Sequence, residues 1–150
     1  MVLVSLNGAR GKARDARRLA DKRQVRTALE LFYDSNGRYP ISASSGGGWT
    51  CLAPGSESCW KGSFSGLDSL VTDLSLYLSS FPKNNAPSGL YANDRLLYTS
   101  NYSGGLGTPA QFGAFLTWVQ ENGMTQSQCP SNYPVQHHDS YWYCYEYIGQ

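Results

Sequence analysis

The sequence predicts an α+β fold, with a long N-terminal helix lying on an antiparallel sheet of three to four strands, a second short helix, and disulfide-closed loops. Three observations carry that expectation. Good helix formers fill the chain from Leu6 to a stop at Asn36-Gly37-Arg38-Tyr39-Pro40. Three late segments are rich in Tyr, Trp, Phe, Thr, Leu and Val. Cysteines stand at Cys51, Cys59, Cys129 and Cys144. A length of 150 residues with 41% hydrophobic content fits a single domain with a real core.

The first element spans residues 1–36. Gly37 supplies a left-handed cap and Pro40 forbids continuation. From Leu19 onward Leu19, Val25, Ala28, Leu29, Phe32 and Tyr33 recur at spacings of three, four and their sums, which makes a stripe. Val25, Leu29, Phe32 and Tyr33 are therefore assigned to hold helix to sheet. Between Gly8 and Arg26 the composition changes to Arg10, Lys12, Arg14, Asp15, Arg17, Arg18, Asp21, Lys22 and Arg23, with Ala9, Ala13, Ala16, Leu19 and Ala20 as the apolar residues. A helix from Val2 to Asn36 is roughly 50 Å long at about 1.5 Å per residue, longer than a globule of this size is wide. Its first half is expected to project.

Charge is segregated along the chain. Residues 1–40 carry nine basic and four acidic side chains, and residues 41–150 carry three and seven, so +5 and −4 sum to the net +1. No stretch of about 18 apolar residues is present, so no span of a membrane is expected within this sequence.

Residues 37–65 form a loop region. Cys51 and Cys59 flank an Ala53-Pro54-Gly55-Ser56 reversal and are close enough in sequence to bridge, which leaves Cys129 for Cys144. Paired cysteines imply an oxidising, extracytoplasmic compartment. The same cysteines with His137 and His138 lack the short paired spacings of a structural zinc site. Leu67, Leu70, Val71, Leu74, Tyr77, Leu78 and Phe81 repeat with helical period, so a second amphipathic helix is expected over 66–81, stopped by Pro82. Residues 90–150 hold the strands, placed at Arg95–Asn101, Gly113–Gln120 and Ser140–Ile148, with Gly104–Pro109 as a flexible return. In the last of these, Tyr141, Tyr143, Tyr145 and Tyr147 share one face, and Trp142, Cys144, Glu146 and Ile148 share the other. One face is expected on the helix and the other in water.

The run Val2-Leu3-Val4-Ser5-Leu6-Asn7, then Ala9 to Arg18, then Thr27-Ala28-Leu29-Glu30-Leu31-Phe32-Tyr33-Asp34-Ser35-Asn36-Gly37-Arg38-Tyr39-Pro40 resembles the helix of bacterial type IV pilins and of the G-type major pseudopilins of type II secretion. In that family a leader and a hydrophobic half-helix with a glutamate near its start precede this segment. Val2–Leu6 resembles the last turn of that half, so the sequence is expected to begin within the helix. The resemblance implies a pilin-like fold and a homo-oligomeric helical filament at the cell surface or in the periplasm, its precursor anchored in the inner or cytoplasmic membrane. Leu3, Leu6, Arg10, Ala13, Arg14, Arg17 and Leu19 would face neighbours, and Arg10 to Arg26 would set register by charge pairing. Minor pilins, a leader peptidase and cytoplasmic ATPases are the implied partners, while the chain as given is expected to be monomeric. G-type members also carry calcium; the candidate oxygens are those of Asn93, Asp94 and Asp139, which show no spacing motif.

Two further readings stand beside the filament. The basic helix offers roughly eight cations over five turns to a nucleic acid, as in some competence pilins, with binding that falls steeply with salt. The tyrosine face offers a contact surface for sugar or protein, against ordinary cross-strand aromatic packing. No catalytic constellation is recognised. Gly104–Gly107 lacks the Lys-Ser/Thr of a phosphate loop, and His137-His138-Asp139 has no nucleophile to pair with.

Overall fold

The computed structural model describes residues 2–42, 48–52, 62–63, 67–82, 96–107, 109–130, 132–138 and 141–150. Helix α1 runs Val2–Asn36, with side chains described from Asn7 onward. Its end follows the predicted chemistry: Gly37, at φ 67°, returns its amide to the Tyr33 carbonyl at 2.7 Å. The chain then clamps itself to the sheet. The buried Tyr98 hydroxyl donates to the Pro40 carbonyl at 2.6 Å, and the Tyr39 hydroxyl donates to the Ile148 carbonyl. Burial raises the Tyr98 phenol well above its usual range, so it stays a donor.

The sheet comprises β1 (Trp49–Cys51), β2 (Gly62–Ser63), β3 (Leu97–Leu106), β4 (Gln111–Gln120), β5 (Gln136–His138) and β6 (Tyr141–Gly149) in the order β2-β1-β3-β4-β6-β5. The β1–β2 pair is parallel and every other pair antiparallel. The three segments read from sequence are the adjacent central strands β3, β4 and β6, and shorter strands extend the sheet beyond the expected three to four. One boundary shifts for a local reason. Gly104 and Gly105 do not form the return; they sit inside β3, where Gly105 has φ 65° and the β3–β4 register slips between Tyr102 and Leu106.

Helix α2 spans Leu67–Leu74, half the length expected for 66–81. The Ser75 hydroxyl takes the Thr72 carbonyl at 2.8 Å, and the Leu74 carbonyl receives the amides of both Tyr77 and Leu78, which tightens the chain out of the helix. The stripe survives that change: Leu70, Leu74, Leu78 and Phe81 are all buried.

Both faces of the sheet are covered. On one, Val25, Ala28, Leu29 and Phe32 of α1 and Leu70 and Leu74 of α2 pack on Tyr98, Leu116, Trp118 and Cys144. On the other, Trp49, Leu97, Phe115, Val119, Tyr143 and Tyr145 form a second cluster, with Tyr102, Tyr133, Tyr141 and Tyr147 around it. The expectation that one face of the last strand lies in water is corrected here, and its tyrosines pack in the second cluster. Tyr143 and Tyr145 are each 2% exposed, because Trp49 and Tyr133 set their rings 5.9 and 5.2 Å from that of Tyr145.

Cys129 and Cys144 form a disulfide, which ties the segment after the 3-10 turn Gln126–Gln128 to β6. Cys51 is also disulfide-bonded; Cys59, its expected partner, lies outside the described residues.

Candidate assembly interface

The two sides of α1 have different chemistry. The side toward the sheet carries, from the N-terminus, Gly11, Arg14, Asp15, Arg18, Lys22, Val25, Ala28, Leu29 and Phe32, and its polar members are all engaged within the chain. Asp15 is buried and its carboxylate accepts four hydrogen bonds: the Glu121 amide at 2.8 Å, the Asn122 amide at 3.0 Å, the Asn122 side-chain amide at 2.8 Å and Arg18 at 2.9 Å. Glu121 in turn accepts a fork from Arg14, at 2.7 and 2.6 Å, and a third bond from Arg18 at 2.6 Å. That fork holds the Glu121 carboxyl below its ordinary range although partial burial opposes the shift. Gly11 completes the joint, since a Cβ there would stand 2.9 Å from the Asn122 side-chain nitrogen.

One turn further on, Lys22 donates to Glu146 at 2.6 Å, with its ammonium 5.0 Å from the centre of the Trp118 ring. Arg26 donates to the other oxygen of Glu146 and to Glu30 at 2.7 Å. Glu146 is completely buried, so its charge is held by two cations in place of water.

The first half of α1 therefore does not project as a whole. Among the residues whose side chains are described, Gly11 is the first buried position and Asn7–Arg10 are exposed. Arg14, expected to face a neighbour, is bound to Glu121 in its own chain because that carboxylate lies beneath it on the β4 side. Leu19 is half-buried against the core and not turned outward. Leu3 and Leu6 are helical, with side chains outside the described residues.

What remains outward is a narrower surface. Ala9, Ala13, Ala16 and Ala20, spaced by four, three and four, make an exposed strip of small side chains. Arg10 and Arg17, seven residues apart, line one border of it, and Lys12 and Arg23, eleven apart, line the other. Among the described residues these four cations make no ion pair within 4 Å, although Arg17 lies near enough to Asp21 to work against the rise that burial imposes on its carboxyl. Arg10, Ala13 and Arg17 lie together on this outward side. Val25, Leu29 and Phe32 are buried, and Tyr33 is half-buried with its ring 4.7 Å from that of Tyr39.

Glu121 and Asn122 are not singled out by the sequence, and Asp15 and Lys22, inside the Arg10–Arg26 stretch read as pairing with neighbours, pair within their own chain. Glu146 did carry a signal, as a single acid in the face that also holds Trp142, Cys144 and Ile148. The calcium candidates Asn93, Asp94 and Asp139 lie outside the described residues, and among the described residues there is no group of three His, Cys, Asp or Glu side chains placed to hold a metal. No described helix is long and apolar enough to cross a membrane.

These elements define an α+β domain with one long helix seated by charge and apolar contact on an antiparallel sheet. No protein-family model matches the sequence, and neither a curated protein nor a solved structure matches it significantly.

Proposed function

We propose that the chain is a structural subunit, not an enzyme, of a type IV pilin-like or type II secretion-like filament, and that copies meet through the outward side of α1. The observation that carries this reading is the exposed alanine strip between Arg10/Arg17 and Lys12/Arg23, on a helix whose other cations are paired. Small residues let helices approach closely, and unpaired cations at their borders seek acidic partners. Glu30 and Asp34 are exposed nearer the C-terminal end of the same helix, so copies staggered along a common axis set opposite charges side by side. A staggered, head-to-tail contact of this kind builds an open filament and not a closed dimer. Paired cysteines support an oxidising, extracytoplasmic location for it.

The test is self-cross-linking in the producing cell. A photo-reactive residue at Ala13 or Ala20 is expected to give ladders of this chain, and Arg10→Glu with Arg17→Glu to abolish them. A probe at Phe112, an exposed position near the start of β4, is the control. Absence of self-cross-links from Ala13 and Ala20 in chains that have reached the envelope would overturn the reading.

A further inference from the structure

The long helix is held by two kinds of contact, and they divide it. From Leu19 to Phe32 the seat is apolar, with Leu19, Val25, Ala28, Leu29 and Phe32 in or against the core and Lys22 and Arg26 closing over Glu146. From Gly11 to Arg18 the sheet-facing residues are Gly11, Arg14, Asp15 and Arg18. Among the described residues they reach Glu121 and Asn122, in the turn after β4. Ala13 and Ala16, the apolar residues of this stretch, point outward.

We propose that residues 2–18 form an arm latched to the body by charge, which leaves the sheet as a unit about Leu19–Asp21 while the rest of α1 stays seated. Asp15 and Glu121 pair with the guanidinium groups of Arg14 and Arg18 in a joint that is partly open to water. Such pairs are screened by salt, whereas apolar burial is not weakened in that way. Among the described residues, the other ionisable groups near the joint include Arg17 and Asp21 on the helix and Tyr141 on β6. An acidic surface offering carboxylate pairs to Arg14 and Arg18 exchanges one fork for another at little net cost, so a partner releases the arm more readily than water does. The device does not require that copies assemble, and its test is made on the isolated chain.

Amide hydrogen exchange separates the two halves. Glu121→Gln weakens the hold on Arg14 and Arg18 but leaves Asp15, the acceptor for the Asn122 amide, in place. If the joint opens as a unit, Asn122 exchanges about tenfold faster or more in that variant, while the amides of residues 25–32 change by less than about twofold. Should Asn122 keep its protection, Asp15 holds by itself and no unit exists; should residues 25–32 accelerate in step, α1 leaves as one piece. Either result overturns the proposal. The unmodified chain supplies the same readout without a substitution. Raising salt to 1 M, where screening acts over about 3 Å, is expected to accelerate Asn122 selectively.

Discussion

Glu146 shows how much one side chain commits the rest of the molecule. It has no exposed surface, stands on the strand face that packs on α1, and carries a charge that Lys22 and Arg26 neutralise from one helix turn. Removing one member of a buried pair leaves the others uncompensated, which typically costs about 3–5 kcal/mol. Glu146→Leu is therefore expected to lower the urea midpoint by that equivalent, whereas Glu146→Leu combined with Lys22→Met recovers most of the loss, because Arg26 keeps Glu30. A single variant within about 1 kcal/mol of the parent would show that the triad carries no such cost.

Glu121 makes a second residue-scale prediction, in pH. Arg14 depresses its carboxyl in the folded state, so the group contributes stability that is present above its unfolded value and is lost as pH falls through the lower folded value. Exchange at Asn122, corrected for intrinsic rate, is expected to accelerate on the acid side of the ordinary glutamate range. The same profile in Glu121→Gln should lack the part of the acid response that Glu121 contributes. Identical profiles in the two proteins would remove Glu121 from the joint.

At the scale of elements, the disulfide and the helix ends decide what the sequence could disclose. Cys129 and Cys144 close 15 residues of chain around β5 and its turn, and loop-closure arguments give about 3 kcal/mol for such a bridge. Cys129→Ala with Cys144→Ala should therefore lower thermal stability by that order while β3, β4 and the seated half of α1 remain. Loss of less than about 1 kcal/mol would mean that the core at Cys144 holds β6 unaided. The central strands and both helix stripes were legible because each is long enough to show its period. Strands β1, β2 and β5 have three residues or fewer, too short for alternation to register. In α2 the period found the buried positions Leu78 and Phe81 but not the end of the helix at Leu74, beyond which the Ser75 hydroxyl and the Tyr77 and Leu78 amides close a turn. The joint between α1 and the turn after β4 was hidden for another reason. Its partners are more than 100 residues apart in sequence, and a charged helix face reads as solvated until the opposing carboxylates are located.

At the scale of the whole molecule, folding changes what the basic half of α1 presents to a polyanion. Eight cations between Arg10 and Arg26 read from sequence as a continuous strip. In the folded chain Arg14, Arg18, Lys22 and Arg26 answer to Asp15, Glu30, Glu121 and Glu146, which leaves Arg10, Lys12, Arg17 and Arg23 outward. Each neutralised phosphate contributes about −0.9 to the slope of log affinity against log salt, so four cations support a slope no steeper than about −4. Titrating a labelled DNA duplex by fluorescence anisotropy at several salt concentrations should give weak binding of that slope, indifferent to base sequence and lost at physiological salt. A slope near −7 would instead require the paired cations to leave their carboxylates for phosphate. Opening of the arm alone adds Arg14 and Arg18 to the four outward cations and supports a slope of about −5, whereas the step to about −7 needs Lys22 and Arg26 to leave Glu146 as well, a cost that would appear as weaker affinity.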